Sequence, residues 1–587
     1  MLRKSIALVA LALPGLMLQP GVADEPLPPA SQWLPASTPL VFELSKPDAF
    51  LDLVLDPEVA DTITSLPAFQ RQAAQPGFRQ FMGVIDYLEF RLGTDWRTGL
   101  RKLVGGGVTL AAGPKESVIL MVDAKDAKML NELHEIVVGF AREQAEKEGN
   151  PSRVASAEYR GVTGWTLSPN QAHAIIGNRL LISNKPDALK AVIDVREDAA
   201  AKRLADLPAY QAAKKAAGPD AVATTYVNLE ILKQVPGLKK ALNDETNPLV
   251  ALLFAGVTEA VRESNWLAMG LHVEGKTLKL AAAVDGKVTD PAGAAAFAQP
   301  AEPEGGALPH FSVPGLIAGM SFYRDLHGFY AAKDELFPER SSGLIFFENM
   351  MGIFFTGRDL TEEVLAETGP EVRVVVAEQE YDPAVGTPGV KIPAFALVLR
   401  LRNPDKFGVV VEEAWQKALG LINFTRGQQA LPGLIIDKPT HGDTKYSIAY
   451  FSTSAEDDKE NLDTRFNLRP SLAMLDDYLI LSSAEGLTRD LIDAAKKEIA
   501  ATVEPLAAVH SSVQIDGRHL ASILGANRAH LVRQNMVEDG NTQEQAETQI
   551  DLLLTVAEYL GKLKLDVGTR DGNTQASIEL ELNVGGE

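Results

Sequence analysis

The nine histidines are the residues whose chemistry is easiest to test for, because imidazole serves both as a general base and as a metal ligand. They are scattered singly, with no HExxH motif and no pair at metal-ligand spacing on one helix. His510 and His519 lie closest, on either side of a predicted strand. The pattern therefore predicts surface or structural histidines. The full set is His134, His173, His272, His310, His327, His441, His510, His519 and His530.

Serine nucleophiles and phosphate-binding loops also have recognisable signatures. Ser183-Asn184-Lys185 and Ser482-Ser483-Ala484 match neither the G-x-S-x-G elbow of serine hydrolases nor the S-x-x-K of β-lactamase-type enzymes. Gly105-Gly106-Gly107 leads into a strand, with no Lys-Ser/Thr after it, whereas a phosphate loop opens a helix. The glycine run therefore predicts a tight turn.

Carboxylates are too numerous to single out a pair by sequence. The 78 acidic residues guarantee neighbours such as Glu362-Glu363 and Asp476-Asp477, and glycosidase pairs are defined by distance in space. The acidic run 456–463 offers oxygen ligands for Ca²⁺ but lacks the D-x-[DN]-x-[DN]-G loop, so a solvated loop is favoured over a calcium site. We predict no catalytic residue, no metal ligand and no cofactor.

Two kinds of aromatic residue need placing. Trp96 and Trp165 are predicted to anchor the core. A Phe/Met cluster between Leu344 and Phe355 either lines an apolar groove or fills a core, and core packing is favoured. The cluster consists of Phe346, Phe347, Met350, Met351, Phe354 and Phe355.

Composition and charge exclude several classes of protein. The 587 residues include no cysteine, which excludes disulfides, thiolate catalysis, thiolate metal sites and a lipoprotein anchor. The net charge is −22, and cleavage after Ala23 would remove Arg3 and Lys4 and leave −24. Such a surface repels polyanions, so nucleic acid and anionic lipid headgroups are poor partners.

The first 23 residues predict a secretory signal peptide. Arg3 and Lys4 form a basic region, Ile6–Leu13 an apolar run, and Gly21-Val22-Ala23 a small-residue cleavage site. The apolar segment is shorter than the roughly 20 residues that span a bilayer, and no later stretch is long enough. We therefore expect a bacterial protein exported to the periplasm or the exterior, with no transmembrane segment in the mature chain.

The mature chain reads as two similar halves separated by a Pro-, Gly- and Ala-rich stretch. Ala174–Ser183 and the helix after it align without gaps on Ala473–Ser482 and its following helix, and each predicts strand, polar turn, strand and helix. Further pairs follow in the same order, which indicates an internal duplication. The predicted organisation is an extended leader over 24–36, a first unit over 37–285, a linker over 286–311 and a second unit over 312–587.

Strand and helix patterns predict the fold class. In the terminal hairpin, Leu563, Leu565 and Val567 alternate with polar residues, as in an antiparallel sheet with one wet face. Pro47, Pro186 and Pro404 each open a helix after an apolar strand, and the preceding Ser or Asn is expected to cap it. We predict an α+β fold of two similar units, each an antiparallel sheet with helices packed on one face.

The order of elements from Leu34 onward resembles a family of exported bacterial proteins known only as a domain of unknown function. The resemblance spans roughly 34–235, with a fainter echo over 312–525. It implies export and α+β character and no catalytic residue. Its quoted segments are Leu34-Pro35-Ala36-Ser37-Thr38-Pro39, Gly99–Leu110 with its triple glycine, Tyr159-Arg160-Gly161-Val162 and Asn178–Ser183.

Three functions stay open at this point. The leading hypothesis is a non-enzymatic envelope or secreted protein that binds a protein partner or acts as a scaffold. The second is a periplasmic carrier of an apolar ligand, which predicts an enclosed apolar pocket of a few hundred Å³ between sheet and helices. The third is an unrecognised hydrolase that uses dispersed carboxylates, which predicts a cleft with two converging acids.

Overall fold

The computed structural model describes residues 27–583 apart from 66, 169–170, 235–247, 287–292, 301–304, 382–386, 453–461 and 571–572. The signal peptide, parts of the leader and linker, and most of the acidic run therefore lie outside the described residues. Contacts divide the chain into a first unit, Met1–Lys239 with Ser264–Asp285, and a second unit, Lys240–Glu263 with Gly286–Glu587.

The first unit is built on one antiparallel sheet. Its strands lie in the order β4-β5-β6-β7-β3-β2-β1-β8-β9-β10. The strands are β1 (Leu40–Leu44), β2 (Gly107–Gly113), β3 (Ser117–Asp123), β4 (Ala155–Tyr159), β5 (Val162–Ser168), β6 (Gln171–Ile176), β7 (Arg179–Ser183), β8 (Ala223–Asn228), β9 (Trp266–Glu274) and β10 (Thr277–Val284). The helices are α1 (Pro47–Val54), α2 (Pro57–Ser65), α3 (Pro67–Ala74), α4 (Pro76–Leu92), α5 (Trp96–Val104), α6 (Ala127–Lys147), α7 (Pro186–Glu197), α8 (Pro208–Ala217) and α9 (Leu229–Leu232).

The second unit is built on a sheet of the same kind. Its strands lie in the order β14-β16-β17-β18-β13-β12-β11-β19-β20-β21, with β15 paired to the start of β16. The strands are β11 (Leu316–Tyr323), β12 (Thr368–Ala377), β13 (Ala394–Leu401), β14 (Leu434–Asp437), β15 (Thr440–His441), β16 (Thr444–Phe451), β17 (Ser471–Leu475), β18 (Tyr478–Ser482), β19 (Val509–Asp516), β20 (Leu560–Arg570) and β21 (Asn573–Leu582). The helices are α10 (Pro248–Glu263), α11 (Leu326–Ala331), α12 (Lys333–Leu336), α13 (Ser341–Phe354), α14 (Pro404–Gln428), α15 (Leu462–Asn467), α16 (Glu485–Ala501), α17 (Gly517–Ala526), α18 (Arg528–Glu538) and α19 (Gln543–Tyr559).

The two paired hairpins fold as the sequence predicts. β6 and β7 are joined by a turn in which Gly177 has φ +61°, and β17 and β18 by a turn in which Asp476 has φ +52°. Glycine and aspartate are among the residues that tolerate this left-handed conformation. Each hairpin is followed by a helix, α7 or α16. The mixed α and β class with antiparallel sheets is thereby confirmed.

The expectation of helices on one face only is wrong for both units. Side chains alternate across a strand, so Leu472 and Ala473 of β17 point to opposite faces. Ala473 packs in the cluster that contains Leu491 of α16, and Leu472 packs in the cluster that contains Phe407 of α14. In the first unit, Ala172 and Ala174 of β6 pack in the core that includes residues of α7 and α8. His173, which lies between them and points to the other face, contacts His134 of α6. Both sheets therefore carry helices on both faces.

Segments expected to be extended or unstructured contribute to the cores instead. Ala30–Gln32 form a 3₁₀ turn, and Trp33 and Leu34 are buried in the core of the first unit, so the described part of the leader is packed. Phe311, at the end of the expected linker, is buried in the second unit. α10, expected in the first unit, belongs to the second by its contacts. Burying these apolar side chains outweighs the Pro-rich composition that predicted extended chain.

Two smaller expectations also fail. Trp96 is 41% exposed and stacks on Arg97, so it is not a core residue, whereas Trp165 is half-buried against a small cluster. Pro47, Pro186 and Pro404 do open helices, but none of the three has a side-chain cap hydrogen bond. Asn184 instead accepts from the Val118 N–H of β3 and donates to the Glu116 carbonyl just before β3. None of the described helices is long and apolar enough to cross a membrane.

Candidate functional site

The first unit contains a cleft of about 530 Å³ beside its core. The cleft is open, whereas the carrier hypothesis predicted an enclosed pocket. The segment from Leu34 to Thr38 forms one wall, the β2 to β3 connection forms the floor, and the first turns of α7 form the other wall. Backbone hydrogen bonds hold the first wall in place: Leu204 N–H donates to the Leu34 carbonyl at 2.9 Å, and Ala36 N–H donates to the Lys202 carbonyl at 3.0 Å.

Side-chain hydrogen bonds from the two residues before α7 connect this helix to the backbone around β3. The Asn184 Oδ1 accepts from the Val118 N–H at 2.8 Å, and the Asn184 Nδ2 donates to the Glu116 carbonyl at 3.0 Å. The Ser183 Oγ donates to the Val118 carbonyl at 3.0 Å. Ser183 and Asn184 thus connect the start of α7 to the backbone at the β3 edge of the cleft.

The cleft is mainly apolar. Its lining residues include Leu34, Ala111, Ala112, Ile119, Ala188, Ala191 and Val192. The lining hydroxyls of Thr38 and Ser117 already donate to the Pro35 carbonyl at 2.7 Å and the Pro114 carbonyl at 2.9 Å. Charged lining residues are confined to Lys185 and Asp187 among the described residues, at the start of α7. Such a surface favours hydrocarbon over a charged or strongly hydrogen-bonding substrate.

A second cleft, of about 620 Å³, lies in the second unit and is charged. Glu579 and Glu581 of β21 line it, but they lie opposite Lys564 and Lys562 of β20 in the strand register. Asp516 accepts the Arg518 N–H at 3.0 Å as the cap of α17. Each of these two glutamates is thus a cross-strand neighbour of a lysine, and Asp516 serves as a helix cap.

A chain of three polar groups borders this second cleft. The His310 Nε2 lies 2.9 Å from the Ser512 Oγ, which donates to the Asp566 Oδ1 at 2.6 Å. Burial, followed by the charge of Lys564, lowers the pKa of His310 to about 4. Ser512 is fully buried and its proton is directed at a carboxylate, so it is not placed as a nucleophile activated by histidine.

His134 and His173 form a pair that the sequence did not predict. Their Nε2 atoms lie 3.0 Å apart, with ring centroids 5.1 Å apart, so the rings meet nearly head-on in an N–H···N hydrogen bond. Because the two Nε2 atoms are directed at each other in this hydrogen bond, they are not directed at a shared third point where a metal ion would bind. Burial lowers the pKa of His134, and burial together with His134 lowers the pKa of His173 to about 4.

The other histidines have separate surroundings, because none of them contacts a second histidine within the part of the chain that the structure describes. His510 is buried, and burial with the nearby Arg324 charge lowers its pKa to about 4. Across the described residues, no group of three or more His, Asp or Glu side chains is placed to hold a metal ion. His272 meets the Ala217 carbonyl, and the remaining contacts are His327 with Glu362, His441 with Asp493 and His519 with Glu378.

The glycine run, Ser482, Asp477 and the Phe/Met cluster, which are candidates from the sequence, have structural contacts. Gly105 ends α5 and Gly107, with φ +140°, begins β2, which confirms the tight turn. Ser482 donates to the Ala484 carbonyl at 2.9 Å. Asp477 pairs with Arg400. Of the Phe/Met cluster, Phe346, Phe347 and Met350 are exposed on α13, so the core-packing interpretation is wrong for these three, whereas Met351 and Phe355 do pack against a core.

With this geometry described, the sequence can be compared with known families. Residues 92–311 match the family described as "Protein of unknown function (DUF3352)". The resemblance to a domain of unknown function, inferred from the sequence over 34–235, is therefore confirmed, but the matched residues lie further along the chain. The DUF3352 match includes the strands and helix that form most of the first cleft, but not its wall from Leu34 to Thr38.

Other comparisons add little. No curated protein matches the chain. Crystal form I of TP0453 shows 7% sequence identity and a TM-score of 0.23, covering 45% of this chain and 81% of that one. Crystal form III of TP0453 shows 8% identity and a TM-score of 0.23, covering 45% and 82%. At these TM-scores the likeness supports no statement about fold or function.

Proposed function

We propose that the protein is an exported, non-enzymatic binding protein that carries an apolar ligand in the first unit's cleft. The observation that carries this proposal is the open cleft of about 530 Å³ whose hydroxyls are already occupied by backbone carbonyls. Small-molecule sites are typically concave, mostly apolar and about 300–1,000 Å³ in volume. A hydrocarbon ligand would replace water against Leu34, Ile119 and Val192.

The ligand chemistry follows from what the cleft lacks and what it offers. Ala111, Ala112, Ala188 and Ala191 leave room because their side chains end at Cβ. A polar group that lies against these alanines would lose its hydrogen bonds to water without replacing them, at a cost of about 1–3 kcal/mol for each group, whereas Lys185 and Asp187 offer charge at the start of α7. A flexible acyl chain has no hydrogen bonds to water to lose, and it is the ligand class that we propose.

The test fills the cleft with a side chain and measures binding of a fluorescent fatty acid. Ala191, half-buried on α7, is changed to Trp, and the control is the same change at the exposed Ala212 of α8. Parinaric acid is titrated into the mature protein while its fluorescence is followed. We expect saturable binding by the wild type and by Ala212→Trp, and at least tenfold weaker binding by Ala191→Trp.

The outcomes separate the hypotheses. Wild-type protein that does not bind the probe, or Ala191→Trp that binds as well as wild type while remaining folded by circular dichroism, contradicts the carrier proposal. Turnover of an ester, phosphate, glycan or peptide by the purified protein, abolished by one carboxylate or histidine substitution, contradicts its non-enzymatic character.

Export is proposed from the sequence alone. The basic, apolar and small-residue regions of the first 23 residues support it. Expression of the full chain in a bacterium, followed by fractionation and N-terminal sequencing, tests this directly. We expect a mature protein that begins at Asp24 outside the cytoplasm, and an uncleaved cytoplasmic chain would contradict it.

We also infer that the two units derive from a duplication. The shared strand order, with a β-hairpin followed by a helix at the same place in each, supports this inference. An experimental structure in which the ten strands from β1 to β10 superpose on their counterparts in the second unit is the expected result. Failure of the two sheets to overlay would contradict it.

A further inference from the structure

Helix α13 presents an exposed apolar surface that the apolar cleft does not involve. Its 14 residues contain a single charged side chain, Glu348. Successive residues are about 100° apart around a helix, so five apolar side chains fall within an arc of roughly 200°, which also contains the exposed Ser342 and Asn349, and Glu348 lies outside it. These five form the α13 patch: Ile345 (54% exposed), Phe346 (72%), Phe347 (40%), Met350 (39%) and Ile353 (64%).

The opposite face of α13 is firmly packed. Met351 packs against the cluster that contains Phe407 and Leu472, and Leu344 packs against Phe329 and Phe337. Glu348 forms an ion pair with Lys333 at 3.2 Å. Leu344, Glu348 and Met351 are half-buried, so α13 already has a packed face and the exposed residues lie on its other side.

The patch is too small for a stable protein interface. Five partly exposed side chains offer on the order of 400–500 Å² of apolar surface, whereas a standard interface buries about 800 Å² on each partner. A second copy of the chain is therefore a poor occupant.

A lipid surface fits the same chemistry better. Apolar residues on one face of a helix bury about 5–10 Å deep at the boundary between headgroups and acyl chains. No Lys, Arg or Asp lies within 341–354, so nothing in the helix attracts anionic headgroups, and the net charge of −22 opposes them. We propose that the α13 patch docks the protein on the surface of a zwitterionic lipid bilayer.

The test is co-flotation with phosphatidylcholine vesicles. The variant Phe346→Ser/Ile353→Ser removes two exposed patch residues, and Phe90→Ser/Val537→Ser makes the same changes in kind at residues that are 84% and 83% exposed elsewhere. We expect the wild type and the control to float with the vesicles, and the patch variant to partition at least tenfold less. Circular dichroism should show that all three proteins are folded.

Three results would overturn the proposal. The first is wild-type protein that does not float with phosphatidylcholine vesicles, including protein that floats only with anionic vesicles. The second is equal loss of flotation in the control and patch variants, which would place the contact elsewhere. The third is a wild-type dimer by light scattering that the patch variant alone dissociates, which would identify a second copy as the occupant.

Discussion

Acid should destabilise the second unit through His510, and replacing this residue should reduce that sensitivity. His510 is 4% exposed, its Nδ1 lies 2.9 Å from the Ser511 Oγ, and its carbonyl accepts from the Arg324 Nη1 at 3.2 Å. The Arg324 guanidinium is itself buried and bonds only backbone carbonyls and the Ser511 hydroxyl in the described part of the chain. Protonating His510 therefore adds a second buried cation beside an uncompensated one.

The magnitude follows from the pKa. Burial and Arg324 lower the pKa of His510 from 6.5 to about 4, so the folded state holds this ring neutral while the unfolded state binds a proton below pH 6.5. Stability is complete above pH 6.5 and falls as the pH drops toward 4, by up to about 1.4 kcal/mol per pH unit. The full loss from this one residue is on the order of 3 kcal/mol.

The assay compares slopes rather than absolute stabilities. Urea unfolding is followed by circular dichroism at pH 7.5, 6.5, 5.5 and 4.5 for the wild type, His510→Gln and the control His530→Gln. We expect the free energy of unfolding of His510→Gln to fall less steeply with acid than that of the wild type. The difference in slope should correspond to about one proton fewer taken up on unfolding. A variant that keeps the wild-type slope, or a control that changes it equally, would refute the reasoning.

Two further substitutions test the packing that shapes the sheets. Glu498 forms a bidentate ion pair with the buried Arg373, whose two nitrogens each lie 2.9 Å from the carboxylate. Glu498→Gln breaks this pair and should lower the free energy of unfolding in urea by about 3–5 kcal/mol. A loss below about 1 kcal/mol would show that the Arg373 guanidinium does not need its partner. Gly106→Ala places a Cβ 2.5 Å from the Asp123 carbonyl oxygen and should cost about 1–3 kcal/mol by thermal melting. The matched Gly83→Ala, with nothing within 4 Å, should be neutral or stabilising, and equal effects of the two would contradict the account.

The parts of the fold predicted from sequence are those that local residues determine. The turns at Gly177 and Asp476 were predictable because residues tolerant of positive φ separate two short apolar runs. The sheet class followed from the alternation around Leu563 and Leu565. The expectation of one wet face came from that terminal hairpin and does not extend to the central strands, where Tyr478–Ser482 form an almost unbroken apolar run that is buried on both faces.

The candidate site was less predictable because its residues carry no chemical signature. The first cleft is lined by alanines and aliphatic side chains that are indistinguishable in sequence from core residues, and only the packing of α7 beside Leu34 leaves the space between them. The His134–His173 pair was missed because 39 positions separate the two residues along the chain. Only knowledge that β6 packs under α6 could have brought them together.

The central claim, an apolar ligand in the first unit, is tested most directly by mass spectrometry of the mature protein purified under non-denaturing conditions. The account predicts one lipid-like molecule bound to each wild-type and Ala212→Trp chain, released on denaturation, and none bound to Ala191→Trp. The same adduct on all three proteins, or a wild-type chain that carries none and acquires none when mixed with fatty acid, would contradict it.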